Sequence, residues 1–319
     1  MNASFKDKMV NIKLLTVATD IDRKHFKNWR QSVSHAGWHD EDVIVLGANQ
    51  NWGGWSWRCK KIVEYCDSVD PDMIIVFCDS YDLLVFGSPT EFTDLFLSRK
   101  CDVLFGVDFI CWKRGFLNFI PPSCSGSVSK DRNIYINGGG IIGRAYILKH
   151  AYQYIGDMFK DDQIGWFDYV DKHRTRNWNA WQKYITDKNY PPNVKFCFDE
   201  NNEMIFNLMF GNHEVRESNE SKMYLKFVET MFNPKRTTKI IKGVDRPVIK
   251  GSRSLMIHTP GITSDSGARY NYVGERFLPK DQFQRVGLTY GCISFLTYGS
   301  IILFIGIIIV IALILKRRK

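Results

Sequence analysis

Two aspartates three positions apart, Asp79 and Asp82, close the apolar run Met73-Ile74-Ile75-Val76-Phe77-Cys78. A D-x-x-D pair in a turn can aim two hard carboxylate oxygens at one Mg²⁺ or Mn²⁺, ions that also take phosphate oxygens. Asp and Ser are equally the residues of ordinary turns and helix caps, so the pair alone leaves metal binding and turn chemistry both open. A second carboxylate pair, Asp161-Asp162, precedes Gln163, and His258 ends the apolar stretch Leu255-Met256-Ile257. Taken alone, His258 reads as an ordinary buried histidine. Gly138-Gly139-Gly140 lie between apolar residues, where glycine lets a backbone approach a ligand or turn at positive φ; the run lacks the spacing of a dinucleotide or phosphate-loop fingerprint. His39-Asp40-Glu41 matches the letter of an iron-binding H-x-D/E motif but sits in a polar loop, and it is not read as a metal site.

The elements that must position these groups follow from periodicity. The run at 73–77 fits a strand covered on both faces, as in a parallel α/β sheet, and ligands bind at the carboxyl ends of such strands. Residues 12–19 read as a first core strand and 24–36 as a helix with Phe26, Trp29 and Val33 on one face; 43–46 read as a second strand. A Gly- and Trp-rich loop at 47–57 leads into a short helix at 58–66. A helix at 90–98 is capped by Ser88, and a strand at 103–107 ends at Asp108. Residues 115–132, rich in Pro, Ser and Gly, read as a loop; 196–199 and 204–206 read as a late strand pair and 255–258 as a further strand. The aromatic and basic stretch 166–184 shows no clear period. This alternation predicts a Rossmann-like α/β sheet.

With 319 residues, 45% of them apolar, the chain can bury a substantial core. Four of its nine net positive charges belong to Lys316-Arg317-Arg318-Lys319, and no basic stripe with a nucleic-acid motif appears, so no nucleic-acid partner is expected. The eight cysteines show no C-x-x-C pair, and several lie in apolar runs, which points to buried thiols. Ile293 to Leu315 carries no charge, and at about 1.5 Å per residue it can cross a hydrocarbon core of roughly 30 Å. It is read as a transmembrane helix over 293–315, with 316–319 as a basic tail. Basic flanks favour the cytoplasmic side, whereas the polar N-terminus lacks a secretory apolar segment, so the direction of threading stays open.

The chain from about Leu14 to Gly261 resembles the glycosyltransferase domain of procollagen lysyl hydroxylases and the related GT-A collagen glycosyltransferases. The likeness is carried by Leu15-Thr16-Val17-Ala18-Thr19, Asn51-Trp52-Gly53-Gly54, Ile74 to Pro89 with Asp79-Ser80-Tyr81-Asp82, Cys111-Trp112, Asn137-Gly138-Gly139, Asp161-Asp162-Gln163, and His258 followed by Gly261. It implies a GT-A α/β domain over 10–285 that moves a hexose from UDP-galactose or UDP-glucose. Asp79, Asp82 and His258 match the ligands of Mn²⁺ (or Mg²⁺) bridging the diphosphate. Tyr81 matches the residue stacked on uracil, Trp52 lines the same side, and Val17 and Thr19 match nucleotide contacts. Trp112, Asn137, Gly138 and Gly139 would shape the sugar pocket, and Asp161 or Asp162 would receive or orient the acceptor proton. The implied acceptor is hydroxylysine or galactosyl-hydroxylysine of a collagen-like chain, at an endoplasmic-reticulum or other endomembrane. The alternatives are a lipid or viral-glycoprotein glycan as acceptor, or a non-catalytic membrane-anchored binding protein of the same fold. The aspartate run is shorter here than in the family, and 166–192 is longer and more basic.

Overall fold

The computed structural model describes residues 11–108, 127–129, 134–159, 161–175, 193–207, 248–249, 252–259 and parts of 270–286. In chain order the first half comprises β1 (Ile12–Val17), α1 (Lys24–His35), β2 (Val43–Leu46), α2 (Trp55–Asp67), β3 (Ile74–Cys78), β4 (Leu83–Val85), α3 (Pro89–Arg99) and β5 (Val103–Asp108). The remainder comprises β6 (Ser127–Ser129), β7 (Ile134–Arg144), α4 (Ala145–Met158), α5 (Asp162–Thr175), β8 (Phe196–Phe198), β9 (Ile205–Asn207), β10 (Val248–Ile249), β11 (Ser252–Arg253) and β12 (Met256–His258).

The main sheet runs β2-β1-β3-β7-β5-β8, with β6 paired to β7. β1 is parallel to β2 and β3, but β7 is antiparallel to both β3 and β5. The sheet is therefore mixed, not parallel throughout as the apolar run at 73–77 suggested. A strand buried on both faces reads as continuous apolar sequence whichever way its neighbour points. Alternate residues of β3 serve opposite cores. Ile75 and Phe77 pack with Ile62 and Cys66 of α2 and with Leu148 and Tyr152 of α4, whereas Ile74, Val76 and Cys78 pack with Trp29 and Val33 of α1. Each such buried side chain contributes about 1.5–3 kcal/mol.

A second sheet, β4-β12-β9, joins distant parts of the chain: β12 is antiparallel to β4 and parallel to β9. The expected pairing of the two late strands is corrected here, since β8 extends the main sheet beside β5 while β9 joins the second sheet. β6 falls inside the expected loop 115–132, and α2 starts at Trp55, inside the expected Gly/Trp loop. α4 had no counterpart among the expected elements, and α5 occupies the first part of the unparsed aromatic stretch. Ser88 caps α3 as expected, in a reciprocal box with Glu91. The described cysteines are free thiols, with Cys59, Cys66, Cys78 and Cys101 buried.

Parts of residues 270–286 fold back on α1. Asn28 Nδ2 donates to Gln284 O at 2.7 Å and Gln284 N donates to Asn28 Oδ1 at 2.8 Å, while the Tyr270 hydroxyl donates to His25 O at 3.0 Å. Among the described residues no helix is long and apolar enough to cross a membrane, and the expected span 293–315 lies outside them.

Candidate active site

The site begins where β3 ends. Asp79 N donates to Gly139 O at 3.1 Å, which fixes the first carboxylate against β7. Asp82, just before β4, is held through its carbonyl, which accepts from Thr259 N at 2.7 Å and Thr259 Oγ1 at 3.0 Å. Because Thr259 follows His258, and His258 pairs with Leu83, the second sheet carries the histidine to the two aspartates. One ligand atom from each of Asp79, Asp82 and His258 lies within 4.8 Å of the others, and His258 Nε2 stands 3.4 Å from Asp82 Oδ2. Two carboxylates and one imidazole make a donor set suited to a hard or borderline divalent ion, so the residues fit the metal that the resemblance implies.

The glycine run interrupts a strand ladder and borders the site. The β5–β7 register passes from Phe105↔Ile141 to Gly106↔Asn137, so Gly138, Gly139 and Gly140 bulge out of that ladder. Asn137 Oδ1 accepts from Gly139 N at 2.8 Å, and Gln163 Oε1 accepts from Gly138 N at 2.7 Å. Gln163 Nε2 also donates to Ile136 O, so one carboxamide fastens the start of α5 to the bulge. That brings Asp161 and Asp162 to the same place. These residues line a cavity of about 320 Å³ that contains Asp79, Asp82 and His258 as well as Asn137, Gly138 and Gly139.

Arg58 was not among the expected site residues, yet it ties the acidic groups together. It is 7% exposed, donates from Nη2 to Asp79 Oδ1 at 2.7 Å, and lies with Nη1 3.5 Å from Asp162 Oδ2. Its guanidinium also lies over the Phe77 and Trp55 rings, 4.9 and 5.3 Å from their centroids. Burial disfavours its charge, but Asp162 and Asp79 outweigh burial and hold its pKa above the ordinary value. Burial likewise raises the pKa of Asp162, with Arg58 opposing that rise. Asp161 is engaged differently: its Oδ1 accepts from Ile164 N at 3.1 Å, capping α5. A sequence signal for Arg58 existed, since it lies three residues after Trp55 and four before Ile62 on the otherwise apolar stripe of α2.

Val17, Thr19, Trp52 and Tyr81 do not line this cavity. The Tyr81 hydroxyl accepts from Asp20 N at 2.9 Å, one residue beyond Thr19, and the Arg23 guanidinium lies 5.1 Å from the Tyr81 ring centroid. Val17 is half-buried beside the main core, in register with Leu46 of β2. Trp52 is 49% exposed and packs edge-on against Trp55, which does line the cavity. Trp112 lies outside the described residues.

A mixed α/β sheet that presents paired carboxylates at a strand end is the frame on which the comparisons with known proteins fall, and they define the chain as a glycosyltransferase. It belongs to the PLOD GT domain family, whose model matches residues 8–185. Among similar proteins, the human multifunctional procollagen lysine hydroxylase and glycosyltransferase LH3 is 29% identical over 167 residues, covering 47% of this chain and 21% of the relative. The rat protein of the same name is 28% identical over 173 residues, covering 50% and 21%. The Drosophila melanogaster procollagen-lysine,2-oxoglutarate 5-dioxygenase is 26% identical over 143 residues, covering 42% and 19%. The chain thus matches about a fifth of the length of these relatives. Similar solved structures include a glycosyltransferase involved in the glycosylation of the major capsid of PBCV-1, with a TM-score of 0.37 and 13% identity, covering 82% of this chain and 98% of that one. Another is the WbbM bifunctional glycosyltransferase in its apo form, with a TM-score of 0.40 and 11% identity, covering 89% and 53%.

Proposed function

We propose that this chain is a GT-A glycosyltransferase, its catalytic module spanning about residues 10–285, that moves galactose or glucose from a UDP-sugar to an acceptor hydroxyl. The observation that carries the reading is the meeting of Asp79, Asp82 and His258 in one cavity beside Asn137, Asp161 and Asp162. Family membership supports the transfer, and the similarity to a procollagen lysine hydroxylase and glycosyltransferase supports a collagen-like acceptor, read here as its hydroxylysine or galactosyl-hydroxylysine. Residues 293–315 anchor the module to an endomembrane in this reading, on the strength of their uncharged sequence.

Asp79, Asp82 and His258 would hold Mn²⁺ or Mg²⁺, which as a Lewis acid stabilises the charge that develops on the departing diphosphate. Arg58 holds the Asp79 side chain in place at the cavity wall by a charge-assisted hydrogen bond. Asp162, whose pKa burial raises, is the better placed of the two acidic residues to orient or accept the acceptor proton, since Asp161 caps its helix with one oxygen. Asn137 and the amides of the bulge shape the sugar-binding wall. Tyr81 and Trp52 offer aromatic faces to the uracil from outside the cavity, beside Thr19 and Val17.

The deciding experiment measures UDP release from a panel of UDP-sugars with Mn²⁺ or with EDTA, using the full chain and its Asp82→Ala variant. Metal-dependent release from one donor, lost in a folded Asp82→Ala protein, is the expected result. Release that survives EDTA and the substitution would remove the metal-site assignment. Absence of UDP binding by the folded wild type would remove the donor assignment.

A further inference from the structure

We infer that Asn207 is a positioning residue that sets His258 in the one tautomer able to ligate a metal through Nε2. This rests on the metal site proposed above. Asn207 is the last residue of β9, is buried, and stands directly opposite His258 in the parallel β9–β12 ladder. Its carboxamide has one workable orientation, because Nδ2 donates to Val107 O at 2.7 Å; turned the other way, two carbonyl oxygens would face each other. Oδ1 is thereby pointed at His258 Nδ1, 2.7 Å away.

An amide oxygen can only accept, so Nδ1 carries the hydrogen. A neutral imidazole has a single N–H, and Nε2 is left with its lone pair directed toward Asp82 Oδ2 at 3.4 Å and the cavity. Two influences oppose this arrangement. Free histidine favours the Nε2–H form, and the Asp82 carboxylate would draw a proton to Nε2, turning a ligand into a donor. Asn207 reverses both because Val107, in β5 of the main sheet, holds its amide. The chain of contacts runs from β5 through Asn207 to His258 and on to Asp82, and it makes the third ligand ready before any ion arrives.

The test uses metal-free protein with ¹⁵N-labelled histidine, followed by Mn²⁺ titration. Wild type is expected to show His258 protonated at Nδ1 and unprotonated at Nε2. Asn207→Leu should shift His258 toward the Nε2–H form and weaken Mn²⁺ binding about 10–100-fold, the usual range for lost outer-sphere partners. A wild-type spectrum showing Nε2–H, or an Asn207→Leu protein with unchanged tautomer and affinity, would overturn the inference. The wild-type spectrum decides the matter even if the leucine variant does not fold. Failure of wild type to bind Mn²⁺ at all would instead overturn the proposed metal site, and this inference with it.

Discussion

Gly139 and His258 are in such close contact that a methyl group added to the glycine would meet the ring at 2.5 Å from Cε1 and 3.0 Å from Nδ1. The imidazole is wedged between the bulge of β7 and Asn207. Gly139→Ala must therefore displace the ring or the bulge. Overpacking of this kind costs about 1–3 kcal/mol. The expected outcome is a lowered melting temperature together with weaker Mn²⁺ binding, read by calorimetry; unaltered metal affinity in a folded variant would mean that the bulge, and not the ring, gives way.

Arg58 carries the balancing charge for two acidic side chains. Arg58→Met leaves Asp79 and Asp162 facing each other without a cation, and breaking a buried pair in this way typically costs about 3–5 kcal/mol. Arg58→Lys keeps the charge but cannot reach both carboxylates with one planar fork, so it should recover only part of the loss. Denaturant unfolding of the three proteins measures this. Equal stability of the methionine variant and wild type would show that the carboxylates are neutralised in some other way.

Burial lowers the pKa of His173 from 6.5 to about 4, where its ring lies 4.6 Å from Tyr169 and 5.4 Å from Phe196, centroid to centroid. Between those two pH values the folded chain binds fewer protons than the unfolded chain, so stability rises with pH and is lost on acidification from 6.5 toward 4. Asp199 acts in the opposite sense: burial raises it from 3.8 to about 6 against the amides of Glu203, Met204 and Ile205, so its contribution falls as pH rises through that window. The two slopes overlap, and only a difference separates them. Urea midpoints of His173→Gln compared with wild type between pH 4 and 7 should converge at the acid end; parallel curves would mean that His173 titrates normally.

Tyr81 combines a ring with a hydroxyl that binds Asp20. If the ring carries the uracil, Tyr81→Ala should weaken UDP binding by about 1–3 kcal/mol, the range for base–aromatic stacking, while Tyr81→Phe should stay near wild type. Equal losses in the two variants would assign the effect to the Asp20 contact.

Much of the first half was legible because its signals are local. The apolar run into Asp79 and Asp82, the stripe of Phe26, Trp29 and Val33, and the cap at Ser88 each depend on neighbours within a few residues. β7 was not legible: glycine is a poor strand former, and Gly139 and Gly140 are there because His258, and Ile205 with Met256, of the second sheet press against them, a demand set far away in sequence. The crossed fates of β8 and β9 were hidden for the same reason. Arg58 was overlooked because a charged side chain on a helix ordinarily faces water, and only the converging carboxylates explain its burial. Asn207 carried no signal in composition or spacing; its role lies in two hydrogen bonds.

The pairing of Leu83 with His258 has a consequence for how the molecule comes into being. Asp79 and Asp82 follow a strand whose two neighbours, β1 and β7, both precede α5, whereas the histidine is delivered by the late part of the chain. Long-range closures of this kind form slowly, since chain entropy must be lost before their contacts exist. A nascent polypeptide halted after α5 would have both aspartates but not the imidazole, and so could not bind the ion with full affinity. On the proposed metal reading, the complete ligand set exists only once the late strands have docked.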